Sequence, residues 1–136
     1  MVAGQIWDKE LLNLVNSQEN IIYSNGFVPN NEVVNYFSAS DLVVYPYKYF
    51  DSSSAAATEA LAYGKAVVVT NVGGLSELVK DKNVIAKPND IKDLKEKIEY
   101  ALKNKDKLEK ESKEIARRFS WDKIAKMTME VYGEWK

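Results

Sequence analysis

Between Asp51 and Val69 the chain reads Asp51-Ser52-Ser53-Ser54-Ala55-Ala56-Ala57-Thr58-Glu59-Ala60-Leu61-Ala62-Tyr63-Gly64-Lys65-Ala66-Val67-Val68-Val69. This order leaves little freedom in what the segment can become. Serines favour a helix start, and the Ala-rich run after them is small enough to lie tight against a sheet. Gly64 stops the helix, and an unalternating valine run has the texture of a parallel strand buried on both faces. Glu59 is the odd residue of that helix, because a carboxylate lying against a sheet needs a partner. The serine-capped end suits an anion, since free N–H groups and the helix dipole both point outward there.

The same alternation runs through most of the chain. Strands are predicted at Val2 to Gly4, Ile21 to Ser24, Leu42 to Tyr45, Ala66 to Thr70 and Val84 to Ala86. Helices are predicted at Asp8 to Asn16, Asn31 to Ser38, Ala55 to Tyr63 and Leu75 to Lys80. Such spacing implies right-handed βαβ units and an α/β fold, a three-layer, doubly wound parallel sheet of Rossmann-like type. Ligands of such sheets collect beyond the carboxyl ends of the strands. From Asp90 to Arg118 the chain is charge-rich and helical, with an N-cap at Asn89 or Asp90 and one face formed by Leu94, Ile98, Ala101 and Leu102. Ser120 to Trp135 reads as a packed terminal helix carrying Ile124, Met127, Met129, Val131 and Trp135.

Composition narrows the chemistry. The 136 residues suit one domain, 1–136, with a core of its own, and a net charge of −1 argues against a nucleic-acid surface. With neither cysteine nor histidine, disulfides, thiol chemistry, a histidine base and most zinc sites drop out. No apolar run approaches the roughly 18 residues of a membrane span, and Met1 to Trp7 lacks the pattern of a signal peptide. The expected location is the cytoplasm.

Five segments in register resemble one family. Gly26-Phe27-Val28-Pro29 looks like its strand-to-loop turn and Asn31 to Asp41 like the helix that follows. Glu59-Ala60-Leu61-Ala62-Tyr63-Gly64-Lys65-Ala66-Val67-Val68 resembles Glu-Ala-Met-Ala-x-Gly-x-Pro-Val-Val, with Ala66 in the proline position. Asn71-Val72-Gly73-Gly74-Leu75-Ser76-Glu77-Leu78-Val79 and Phe119-Ser120-Trp121 complete the order. The chain is thus similar, over nearly its whole length, to the donor-binding C-terminal half of retaining GT-B glycosyltransferases, family 4 (glycosyl transferases group 1).

The resemblance implies transfer of a glycosyl group from a nucleotide-diphosphate sugar, UDP- or GDP-linked, to an acceptor hydroxyl, with no metal and no other cofactor. It implies that Glu59 binds the ribose and that Asp51, the catalytic candidate, lies at the donor sugar and leaving phosphate. Eight positions of helix rise span about 12 Å, comparable to the reach from ribose to sugar. Ser52, Ser53 and Ser54 stand where the family commonly has a Gly-Phe-Gly-like segment, and they would present amides and hydroxyls to the diphosphate. Gly26, Phe27 and Val28 would border the base. The basic clamp on the diphosphate, and the acceptor-binding N-terminal domain that takes a carbohydrate or lipid-linked substrate, are expected upstream of Met1. In such an intact enzyme peripheral membrane association and a homodimer are both open.

Each assignment has a plainer alternative. Glu59 as a partly buried structural carboxylate, Asp51 as a loop acid or cap, and the serines as simple caps all fit the residues. So do Phe27 as a core residue of an ordinary turn, Lys48 as a solvated lysine and Gly73-Gly74 as a tight turn rather than a phosphate cradle. At the level of the whole chain, the rivals are a non-catalytic nucleotide-binding or scaffold module and a sugar-nucleotide epimerase-like domain, whose expected histidines are absent.

Overall fold

The computed structural model describes residues 1–133; Trp135 lies outside the described residues. The chain divides into two compact units, Met1–Tyr36 and Phe37–Lys136, and the described strands form two sheets, one in each unit, instead of one continuous sheet.

The first unit holds β1 (Val2–Gly4), α1 (Lys9–Asn16) and β2 (Tyr23–Asn25). β1 and β2 pair in parallel with Val2 opposite Tyr23 and Gly4 opposite Asn25. Helix α1 starts where Asp8 accepts hydrogen bonds from the amides of Glu10 and Leu11 at 2.8 and 3.0 Å, satisfying two of its otherwise orphaned donors. The next helix, α2 (Asn30–Ala39), straddles the unit boundary.

The second unit is a parallel sheet in the order β3 (Val43–Tyr45), β4 (Val67–Thr70), β5 (Ile85–Ala86). Val43 pairs with Val67, and Val69 with Ile85. All four β4 residues are buried, as an unalternating valine run requires of a central parallel strand. Helix α3 (Ala55–Ala62) joins β3 to β4 and buries Ala57, Ala60 and Leu61. It ends at Gly64, whose φ of 68° lets the amides of Gly64 and Lys65 fold back onto the carbonyls of Leu61 and Ala60.

Three helices follow: α4 (Ile91–Lys103), α5 (Lys105–Arg118) and α6 (Trp121–Gly133). The stem of Lys113 on α5 lies so close over Gly64 that a Cβ there would sit 2.5 Å from its Cε. No helix among the described residues is long and apolar enough to cross a membrane.

Four expectations need correction. The helix foreseen over 75–80 is a single 3₁₀ turn, Leu75–Glu77, and a second such turn, Lys82–Val84, follows with Asp81 as its cap. The charged helical stretch is interrupted at Asn104, which caps α4 through its amide and whose side chain donates to the Tyr100 carbonyl at 2.9 Å. On α4, whose N-cap is Asp90, one of the two residues foreseen for it, Leu102 is exposed while Leu94, Ile98 and Ala101 face inward. Finally, α6 does not pack: Trp121 is 84% exposed and Ile124, Met127, Met129 and Val131 are all exposed. An amphipathic pattern fixes which face is apolar and not whether anything covers it.

Candidate functional site

Strands β3 and β4 end side by side, Tyr45 opposite Val69. The two loops that leave them, residues 46–54 and 71–74, are fastened together. The Gly74 amide donates to the Ser52 carbonyl at 3.1 Å. Gly73 adopts a φ of 49°, and a Cβ on it would stand 2.5 Å from the Phe50 carbonyl oxygen and 3.0 Å from that of Ser52. Only a residue without a side chain permits that approach. At the end of β4 the buried Thr70 hydroxyl donates to the Tyr47 carbonyl at 2.7 Å. Within the first loop the rings of Tyr47 and Phe50 lie 4.9 Å apart.

Lys48, Tyr49, Phe50, Asp51, Val72 and Gly73 line an open cavity of about 580 Å³ at this edge, within the roughly 300–1,000 Å³ of small-molecule sites. It lies at the carboxyl ends of parallel strands, where ligands of α/β sheets bind.

Of the three serines, only Ser54 is a cap. It is buried, 4% exposed, and its Oγ accepts from the Ala57 amide at 3.2 Å. Ser52 and Ser53 are exposed. The amides of Ala55 and Ala56 find no acceptor among the described residues, so the α3 N-terminus presents two open donors. Asp51 is exposed on the cavity wall and does not cap the helix, which disposes of that alternative.

Glu59 is exposed, contrary to the premise that its carboxylate lies against the sheet and requires a protein partner. Helix α3 turns Ala57, Ala60 and Leu61 inward, which leaves Glu59 one turn beyond Ala55 and Ala56 on the outer face. Its charge is felt at Tyr45. Burial first, then Tyr47 and Glu59, push the Tyr45 phenol above its ordinary range, and that phenol donates to the Ala56 carbonyl at 2.6 Å.

Gly26, Phe27 and Val28 belong to the first unit. Gly26 has a φ of 95° with nothing within 4 Å of a hypothetical Cβ. Phe27 is 87% exposed and so is no core residue, whereas Val28 is half-buried. Among the described residues no group of three His, Cys, Asp or Glu side chains could hold a metal ion.

Sequence reasoning passed over Thr70 as a site element. Its signal was a lone hydroxyl ending a valine run at the ligand edge.

A parallel α/β unit with a cleft at its strand ends and an open helix N-terminus beside it has a Rossmann-like architecture. The family model described as "Glycosyl transferases group 1" matches residues 2–119, and the chain belongs to that family. An uncharacterized glycosyltransferase of Methanocaldococcus jannaschii is 33% identical over 109 residues, which are 76% of this chain and 31% of that protein. A D-inositol 3-phosphate glycosyltransferase of a Nocardioides species is 33% identical over 78% of this chain and 25% of its own. The chain therefore spans about a third or less of the length of these relatives. Among solved structures, sucrose-phosphate synthase from Thermosynechococcus elongatus matches with a TM-score of 0.77 over 93% of this chain and 33% of its own, at 24% identity, a likeness of fold. The catalytic domain of cholesterol-alpha-glucosyltransferase from Helicobacter pylori matches with a TM-score of 0.64 and 27% identity, covering 81% of this chain and 70% of its own. The fold is that of a GT-B C-terminal domain, an α/β unit with parallel strands and C-terminal helices.

Proposed function

We propose that this chain supplies the donor-nucleotide site of a glycosyltransferase that moves a glycosyl group from a UDP- or GDP-linked sugar to an acceptor hydroxyl. The observation that carries this reading is the convergence, at one sheet edge, of the cavity and the exposed Ser52 and Ser53 with the open amides of Ala55 and Ala56. In the reaction the bond from the sugar's anomeric carbon to the diphosphate breaks. A bond from that carbon to the acceptor oxygen forms, and the acceptor's proton and the nucleoside diphosphate are released. Charge gathers on the departing diphosphate, where fixed N–H and O–H donors at a helix N-terminus stabilise it most.

In this reading Ser52, Ser53 and the amides of Ala55 and Ala56 take the diphosphate. Glu59, one turn along the same face, takes the ribose hydroxyls, and Asp51 approaches the sugar. The carbohydrate or lipid-linked acceptor is held by chain beyond these residues.

Titrating UDP and GDP into the labelled chain tests the reading by NMR. Amide shifts at Ser52 to Ala56 are expected, and Glu59→Gln should weaken binding because the neutral amide loses the charge that strengthens bonds to ribose hydroxyls. Since Glu59 is exposed, its melting temperature should hold. Unshifted amides with both nucleotides at millimolar concentration would favour a scaffold module instead.

A further inference from the structure

We propose that Thr70 is a positioning residue: its buried hydroxyl holds the loop bearing Asp51 to Ser53 in the shape that receives the diphosphate. The proposal rests on the donor-site reading above and adds a residue to it.

Loop 46–54 leaves the sheet at Tyr45 and carries the exposed groups of the site, yet most of its residues contribute little to the core. Exposed loops of this kind are ordinarily the mobile part of a domain. Here two hydrogen bonds from the second strand–loop segment restrain it. One is the backbone contact from Gly74 to Ser52 at 3.1 Å, at the far end. The other comes from Thr70, which is 3% exposed and reaches the near end.

The hydroxyl has one proton. The Tyr47 carbonyl stands 2.7 Å away and the Tyr45 carbonyl 3.4 Å away, so the proton goes to Tyr47, at the mode of O–H···O distances. Between the two anchors lie Lys48, Tyr49, Phe50 and Asp51, four of the residues on the cavity wall. The strand itself does not need the hydroxyl. Val67, Val68 and Val69 occupy the rest of β4, and a fourth valine would satisfy its packing equally well. A threonine in this place serves the loop, and its removal leaves the Tyr47 carbonyl without that donor.

The test compares wild type with Thr70→Val, nearly isosteric without the hydroxyl, and with Thr70→Ser, which keeps it. Amide exchange at residues 48–53 and titration with UDP and GDP are measured on each. Thr70→Val is expected to speed exchange in this loop at least tenfold while β4 and α4 stay protected, and to weaken nucleotide binding at least fivefold. Thr70→Ser should restore both. If Thr70→Val fails to fold, Thr70→Ala, which adds no apolar bulk beside the carbonyl, takes its place against Thr70→Ser. Wild-type exchange and affinity in the variant without a hydroxyl would overturn the proposal, as would a Ser variant as impaired as Val. If wild type binds neither nucleotide, the donor-site reading fails, and the exchange rates alone decide whether Thr70 holds the loop.

Discussion

Replacing Asp81 with Asn should destabilise the second unit by about 2–4 kcal/mol at neutral pH, although nothing in the cleft touches it. Asp81 heads the 3₁₀ turn before β5, and its side chain is 6% exposed. One carboxylate oxygen accepts from the amide and the side-chain NH₂ of Asn83, both at 2.9 Å. The other accepts from the Tyr100 hydroxyl on α4 at 2.9 Å and from Lys107 on α5 at 2.8 Å. One charge thereby joins a turn to two helices. Burial alone would raise its pKa, but the Lys107 ammonium together with the Asn83 and Tyr100 donors outweigh it and hold the carboxyl far below its ordinary value. Charge-assisted bonds contribute about 1.5–3 kcal/mol each and neutral ones about 0.5–1.5. An Asn keeps an acceptor for Asn83 but brings an NH₂ against Tyr100 and Lys107, which gives the range above. Lys107→Met removes one of the four bonds and leaves the carboxylate its Asn83 and Tyr100 donors, so it should cost less than Asp81→Asn. The pH dependence follows from the sign of the shift. A carboxyl with a depressed folded pKa contributes fully above its unfolded value, near 3.8, and loses that contribution as pH falls through the folded value. Urea titrations of wild type, Asp81→Asn and Lys107→Met at pH 7, 4 and 2.5 should show the Asn deficit shrinking towards acid. Equal deficits in the two variants, or one that does not change with pH, would refute the reasoning.

Four further substitutions address the site. Ser54→Ala removes the α3 cap and should cost about 1 kcal/mol in thermal unfolding, whereas Ser52→Ala and Ser53→Ala should stay within about 0.5 kcal/mol and act on nucleotide affinity. Gly73→Ala combines a left-handed φ, about 1–2 kcal/mol for a residue with a Cβ, with backbone contact to Phe50. It should lower the melting temperature and shift the amides of Phe50 to Ser53, and a variant with wild-type spectra would show the two loops are not in contact.

The parts of this fold legible in sequence are those decided within a few residues. β4 shows itself through consecutive β-branched residues, and α3 through a serine at one end and a glycine at the other. The positions of Asp51, Ser52 and Ser53 at a strand's carboxyl end follow from the same alternation. What eluded the sequence depends on residues distant in the chain. Nothing near Asp81 announces that Tyr100 and Lys107 converge on it, although Asp81-Lys82-Asn83 has the spacing of an Asx turn. Thr70 reads as one more β-branched strand residue until its hydroxyl is found on Tyr47. The inward reading of Glu59 failed because a helix built from Ala55, Ala56, Ala57, Ala60 and Ala62 conceals which of its faces meets the sheet. The break at Asn104 is hidden in a run whose charges suit one long helix as well as two.

The contact between Gly64 and Lys113 ties the turn after α3 to α5. Because the lysine stem occupies the space where a side chain at 64 would begin, the spacing of α3 and α5 is set by an empty position on one and a long aliphatic stem on the other. A side chain at 64 would meet two separate costs: the Lys113 stem would have to swing aside, and the new residue would have to hold a left-handed φ of 68°. Shortening residue 113 therefore removes only the first of them.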